Sequence, residues 1–162
     1  MRLFRLMDEG RKIWLMSDPP NYEPEPKDSL YAQAIARGQD PWSIVYDALL
    51  QNDGKALLYT PFANYAENNL DCCRDMILHK DTVMGLGDGG AHVGTICDAS
   101  FITSLLTHWG RDRSRGEGID LPTLIKCQSS DTAQAVGLTD RGTLQVGMRA
   151  DVNIIDFDNL NV

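Results

Sequence analysis

Apolar positions along this chain come in short runs punctuated by proline, glycine and acidic clusters, and the spacing inside each run sets the element expected there. Residues 12–16 form a compact apolar run that halts at Ser17-Asp18-Pro19-Pro20, where two prolines remove backbone donors. A strand end followed by a loop is expected, and the loop continues through the charged, Pro-rich Glu23-Pro24-Glu25-Pro26-Lys27-Asp28. Ser29 then offers an N-cap for a helix over 30–37 that Gly38 closes, and Asp40-Pro41 opens a second helix. Trp42, Val45 and Leu49 recur at helical spacing, which predicts an amphipathic helix reaching residue 51 and ended by Asn52-Asp53-Gly54. Next come a strand over 56–59 stopped at Thr60-Pro61, a helix over 70–78 with Met76 and Ile77 toward a core, and a strand over 82–86.

Strands that alternate with helices and are apolar throughout are the pattern of a parallel sheet covered on both faces, so the fold class expected is α/β. Helical stretches follow at 98–109, 121–127 and 131–136, the last ended by Gly137. The tail changes character. Residues 143–147 and 152–156 read as two short strands joined by a turn with no helix between them. No solenoid repeat period is present.

Composition narrows the partners. The 162 residues are 43% hydrophobic and 23% charged, enough apolar material for a globular core. Fifteen basic against 23 acidic residues give a formal net charge of -8, which repels a phosphate backbone or an anionic lipid surface. Neither nucleic acid nor membrane is therefore an expected partner. The opening stretch 1–9 turns acidic too soon for the apolar region of a signal peptide, and no segment approaches the roughly 20 apolar residues of a membrane span. Cys72, Cys73, Cys97 and Cys127 show no C-x-x-C spacing, so reduced thiols in a cytoplasmic protein are expected.

Candidate chemistry concentrates in Gly85-Leu86-Gly87-Asp88-Gly89-Gly90-Ala91-His92, where an expected strand gives way to a loop. Ligands bind at the carboxyl ends of strands in parallel α/β folds, and an aspartate flanked by glycines there is open to close approach by other groups. The competing reading is an aspartate that merely caps the following turn. Residues 85–90 also match G-x-G-x-x-G, but Asp88 would set a negative charge against a pyrophosphate, and Gly94 falls where the helix should already be forming. The acidic residue required further on would be Asp112, which lies in the polar run 111–115 and at no strand end. A dinucleotide site is set aside.

The run Thr82-Val83-Met84-Gly85-Leu86-Gly87-Asp88-Gly89-Gly90-Ala91-His92-Val93-Gly94 resembles the last barrel strand and following loop of the N-acyl-D-amino-acid deacylases (D-aminoacylases) of the amidohydrolase superfamily. Further on, Leu106-Thr107-His108-Trp109-Gly110-Arg111-Asp112-Arg113 and Ser130-Asp131-Thr132-Ala133-Gln134-Ala135-Val136-Gly137-Leu138 resemble the same group. Asp140-Arg141-Gly142-Thr143-Leu144 through Ala150-Asp151-Val152-Asn153-Ile154-Ile155-Asp156 is similar to its exit from the barrel into a small β-sandwich. The resemblance implies the last strands and helices of a (β/α) TIM-type barrel over 1–138 and incomplete sandwich strands over 139–162. It implies a metal-dependent hydrolase of a non-peptide C–N amide bond, with zinc or another divalent metal lowering the pKa of bound water from about 15.7 toward about 7. By that match Asp88 is both metal contact and general acid/base, moving the water's proton to the departing amine.

The departures from the family pattern matter equally. A metal site needs several nitrogen or oxygen ligands, and the family's H-x-H pair is missing, since the histidines are His79, His92 and His108 only. His79 precedes the expected strand and belongs to its stabilising end. His92, four residues past Asp88, either orients the substrate or Asp88, or is a loop histidine bonded to backbone. His108 beside Trp109 is expected to be packed or solvent-facing. Gly89, Gly90, His92, Asn64 and Tyr65, with Glu67, are the candidates for a substrate loop. Arg111, Arg113 and Arg115 suit bidentate recognition of a substrate carboxylate, although a solvated basic run is the simpler expectation.

A complete barrel of this kind takes about 250 residues. The chain is therefore expected to be a carboxyl-side fragment, Met1 an internal start or truncation point, and the isolated 162 residues inactive as a deacylase. Two alternatives are a non-enzymatic binding or assembly domain derived from an amidohydrolase, and one half of a split enzyme. The partners expected are a small-molecule amide and either the missing amino-terminal half or further copies in a homo-oligomer.

Overall fold

A computed structural model describes residues 11–162, so the opening stretch 1–9, read above as too acidic for a signal peptide, lies outside the described residues. The chain forms two compact units, one reaching to Leu70 and one from Asp71 to Val162. Residues 139–162, expected to begin a separate subdomain, lie within the second unit.

In the first unit the run around Ile13 supplies β1 (Trp14–Leu15), and α1 (Leu30–Arg37) begins where Ser29 was expected to cap it. The Ser29 hydroxyl accepts a hydrogen bond from the Ala32 amide at 3.1 Å, and Gly38 ends the helix with φ 64°, a left-handed conformation that glycine adopts without penalty. Asp40 repeats the device for α2 (Pro41–Leu49), its carboxylate accepting from the Ser43 amide at 2.9 Å. The turn after α2 holds Asn52 (φ 52°), Asp53 (φ 57°) and Gly54 (φ 75°) in left-handed conformations, which these residue types tolerate best. β2 (Leu58–Tyr59) follows.

The packing of the first unit differs from the expected pattern at two places. The α2 face toward the core is Ile44 and Ala48, with Val45 at its edge, whereas Trp42 and Leu49 are exposed. The small Ala34 of α1, fully buried in the same cluster as Ile13, Leu30, Ile44 and Ala48, leaves room for that stripe to approach. The strands also pair antiparallel rather than parallel, Trp14 opposite Tyr59 and Leu15 opposite Leu58. Aromatic packing accompanies this register: Trp14 lies 6.4 Å from Tyr59 and edge-on to Tyr65 at 6.0 Å.

The second unit opens with α3 (Asp71–Leu78), placed as expected, but Met76 is exposed and Ile77 only half-buried. α4 (Phe101–Ser104) runs directly into α5 (Leu105–Asp112), whose turns are of the wider π type, with the Arg113 amide donating to the His108 carbonyl five residues back at 2.8 Å. α6 (Leu121–Gln128), capped by the Asp120 carboxylate on the Thr123 amide at 3.0 Å, and α7 (Ser130–Ala135) complete the helices. Leu105, Leu106, Trp109, Ile119, Leu124 and Ala133 are its buried apolar residues.

The strands expected over 82–86, 143–147 and 152–156 do not form among the described residues. Each run is apolar enough, but a strand exists only with a ladder partner, and here the apolar side chains stand in solvent: Leu86 is 95% exposed, Val146 fully, and Ile154 99%. The four cysteines carry no disulfide, and among the described residues no helix is long and apolar enough to cross a membrane.

Candidate active site

The Gly87-Asp88-Gly89 segment is wrapped over a second carboxylate, that of Asp98. One Asp98 oxygen accepts a hydrogen bond from the Asp88 amide at 2.9 Å, and the other accepts from the Gly89 amide at 2.5 Å. These two bonds to the charged form, Asp88's first and Gly89's second, hold the Asp98 carboxyl below its ordinary value despite partial desolvation. Asp98 is fixed from behind, because its own carbonyl accepts from the Phe101 amide at 3.0 Å where α4 begins.

The closeness of the wrap explains two of the glycines. A Cβ on Gly87 would sit 3.0 Å from both the backbone and side-chain oxygens of Asp98, and one on Gly89 would lie 2.9 Å from the same carboxylate and 3.0 Å from the Ala99 nitrogen. Gly85, Gly90 and Gly94 face open space. The turn from Gly90 to Val93 is closed by backbone alone, the Val93 amide donating to the Gly90 carbonyl at 3.1 Å. Asp88 therefore does not cap it, and its exposed side chain projects from a backbone held on both sides. The geometry also weighs against a phosphate cradle, since the amides that would face a phosphate already donate to Asp98.

His92 lies exposed in the same turn, four residues beyond Asp88. Asn64 belongs to the first unit, in a left-handed conformation with φ 58°. Tyr65 is a core residue there, 1% exposed, its hydroxyl donating to the Pro24 carbonyl at 2.8 Å and its own carbonyl accepting from Lys12 Nζ at 2.8 Å. Tyr65 is thus packed in the core of the first unit, where the sequence suggested a loop residue. Beside it, the buried Glu23 carboxylate accepts from the Leu70 amide at 2.7 Å. His79 is exposed, its Nδ1 accepting from the Asp81 amide at 3.2 Å, and His108 packs edge-on against Trp109 at 5.1 Å.

Two of the three arginines, Arg111 and Arg113, are engaged within the chain. Arg113 has a buried side chain that pairs with Asp71 at 2.6 Å, donates to the Glu117 carbonyl and lies 4.8 Å over the Trp109 ring. Arg111 donates to the carbonyls of Phe157, Asp158 and Leu160 while pairing with Asp112. Both guanidiniums tie loops to the helical core.

Sequence reasoning passed over Asp98. An aspartate just ahead of a helix reads as a helix-start residue, and nothing local shows that its side chain turns back to amides nine and ten positions upstream.

A model of the amidohydrolase family matches residues 27–162, most of the chain and all of the Asp88–Asp98 region. The chain belongs to the amidohydrolase family. No curated protein and no solved structure matches it. Amidohydrolases are hydrolases that are typically metal-dependent. The donor set here does not fit that requirement by itself: among the described residues no three of His, Cys, Asp and Glu come together as a group able to hold a metal ion.

Proposed function

We propose that this chain carries the proton-transfer part of an amide-hydrolysing centre, with N-acyl-D-amino acids as the substrate class and Asp88 as the group that moves the proton. The observation that carries the reading is the presentation of Asp88: an exposed carboxylate on a backbone pinned at its own amide and the next, within the region matched by the family. Ionised Asp88 accepts a proton from water as the oxygen attacks the acyl carbonyl. As the C–N bond breaks, the same carboxyl returns that proton to the departing amine, leaving a carboxylic acid and a free amino acid. His92 is the candidate for orienting the substrate beside it.

The fold belongs to the proposal as well. The end of a (β/α) barrel and the first sandwich strands are supported by the family match and by the exposed apolar side chains of Val83, Leu86, Leu144, Val146, Val152 and Ile154, which neighbouring strands would cover. In this reading the ligands for zinc or another divalent metal come from an amino-terminal half or a second copy, because the described residues hold no such group.

The test is hydrolysis of N-acetyl-D-amino acids, with the L-enantiomers as controls, by the protein as its gene encodes it and with zinc supplied. Asp88→Asn is expected to lower turnover by about 100-fold or more without changing the circular dichroism spectrum. Full turnover in that variant removes Asp88 from the chemistry, and equal rates on both enantiomers overturn the substrate class.

A further inference from the structure

We infer that Asp98 is a positioning residue for Asp88, aiming its carboxylate by gripping the two successive amides on either side of its Cα; the inference rests on the proton-transfer role proposed above. The grip is bidentate, one oxygen for the Asp88 amide at 2.9 Å and the other for the Gly89 amide at 2.5 Å. Fixing both peptide planes that flank a Cα fixes its φ and ψ, and with them the direction of its Cα–Cβ bond. Only the side-chain rotations of Asp88 remain free.

The anchor is connected to something rigid. The Asp98 carbonyl holds the first turn of α4, and α4 continues into α5, whose Leu105, Leu106 and Trp109 are buried. Residues 88 to 98 thus form a loop whose two ends meet through one carboxylate, the arrangement of a compact Ω-type loop. Gly87 and Gly89 belong to the same device, because a Cβ at either position would press on Asp98. A general base works only within hydrogen-bond reach of the proton it takes, and a displacement of about 1 Å at a reacting group is enough to cost about 100-fold in rate.

The experiment compares Asp98→Ala, Asp98→Asn and Gly89→Ala in the protein as its gene encodes it, reading turnover of an N-acetyl-D-amino acid together with hydrogen exchange at the Asp88 and Gly89 amides. Asp98→Ala is expected to speed exchange at both amides and to lower kcat by about 10- to 100-fold with KM changed less than about twofold. Asp98→Asn keeps one acceptor oxygen and turns a donor toward the other amide, so it falls between wild type and alanine in both readouts. Gly89→Ala presses on the same carboxylate oxygen and on the Ala99 nitrogen, and reproduces the effect should Asp98→Ala fail to fold. Gly94→Ala, which meets nothing within 4 Å, is the control expected to match wild type. Faster amide exchange with unchanged kcat would leave Asp98 a loop fastener and overturn the positioning role. Unchanged exchange in Asp98→Ala removes the grip itself. Full activity in Asp88→Asn brings down the catalytic reading, and the positioning role with it, while the exchange data still report whether the grip exists.

Discussion

Tyr65 donates its hydroxyl hydrogen to the Pro24 carbonyl from a position that water barely reaches. Tyr65→Phe keeps the ring against Trp14 and removes the hydroxyl, leaving the Pro24 carbonyl without this donor. The expected loss is about 1 kcal/mol, read as a lower urea midpoint with an unchanged m-value. A midpoint equal to wild type would mean that the bond is absent in solution. At this scale the sequence is informative about Asp88, because glycines on both sides of an acidic residue after an apolar run leave few structural roles. It is silent about the contacts of Asp98 and Tyr65, whose partners lie at least nine positions away.

Among the elements, the helices were legible because their signals are local. Ser29, Gly38, Asp40 with Pro41, and Gly137 each act on a backbone group within a few residues, and each helix falls close to where such a residue puts it. The burying face of α2 was not legible: apolar residues occur on several of its sides, and the neighbour decides which stripe is covered. The strands were least legible, because an apolar run becomes a strand only when another run lies beside it. The caps themselves separate by chemistry. The Asp120 carboxyl is lowered first by its side-chain bond to Thr123 and then by the Thr123 amide, so its folded value lies below the ordinary 3.8. Its contribution to α6 is present above the unfolded value and is lost as pH falls through the folded one. Ser29 has no such titration. Amide protection at Thr123 is expected to decline on acidification below the ordinary carboxylate range sooner than protection at Ala32; the reverse order would contradict the cap assignment.

For the whole molecule, exposed apolar side chains outnumber what an isolated unit needs. Leu86, Val136, Leu144, Val146, Val152 and Ile154 are all at least 60% exposed and belong to the second unit. Exposed apolar surface in such amounts marks interaction or association sites. The chain alone is expected to enhance the fluorescence of an apolar dye and to sediment as concentration-dependent oligomers. Dye silence with a monomer at all concentrations would show that these residues are covered in solution.

The ties around Tyr65 also bear on how fast the first unit comes together. Lys12 reaches the Tyr65 carbonyl across 53 positions, Tyr65 reaches Pro24 across 41, and Leu70 reaches Glu23 across 47. α1 and α2, by contrast, are neighbours in sequence. Closing long loops carries entropy that adjacent helices avoid, so the α1–α2 pair is expected in the folding nucleus and the Tyr65 knot after the barrier. In stopped-flow measurements Tyr65→Phe should therefore speed unfolding and leave refolding unchanged, whereas Ala48→Gly within α2 should slow refolding. Slower refolding in Tyr65→Phe would instead put the knot in the nucleus.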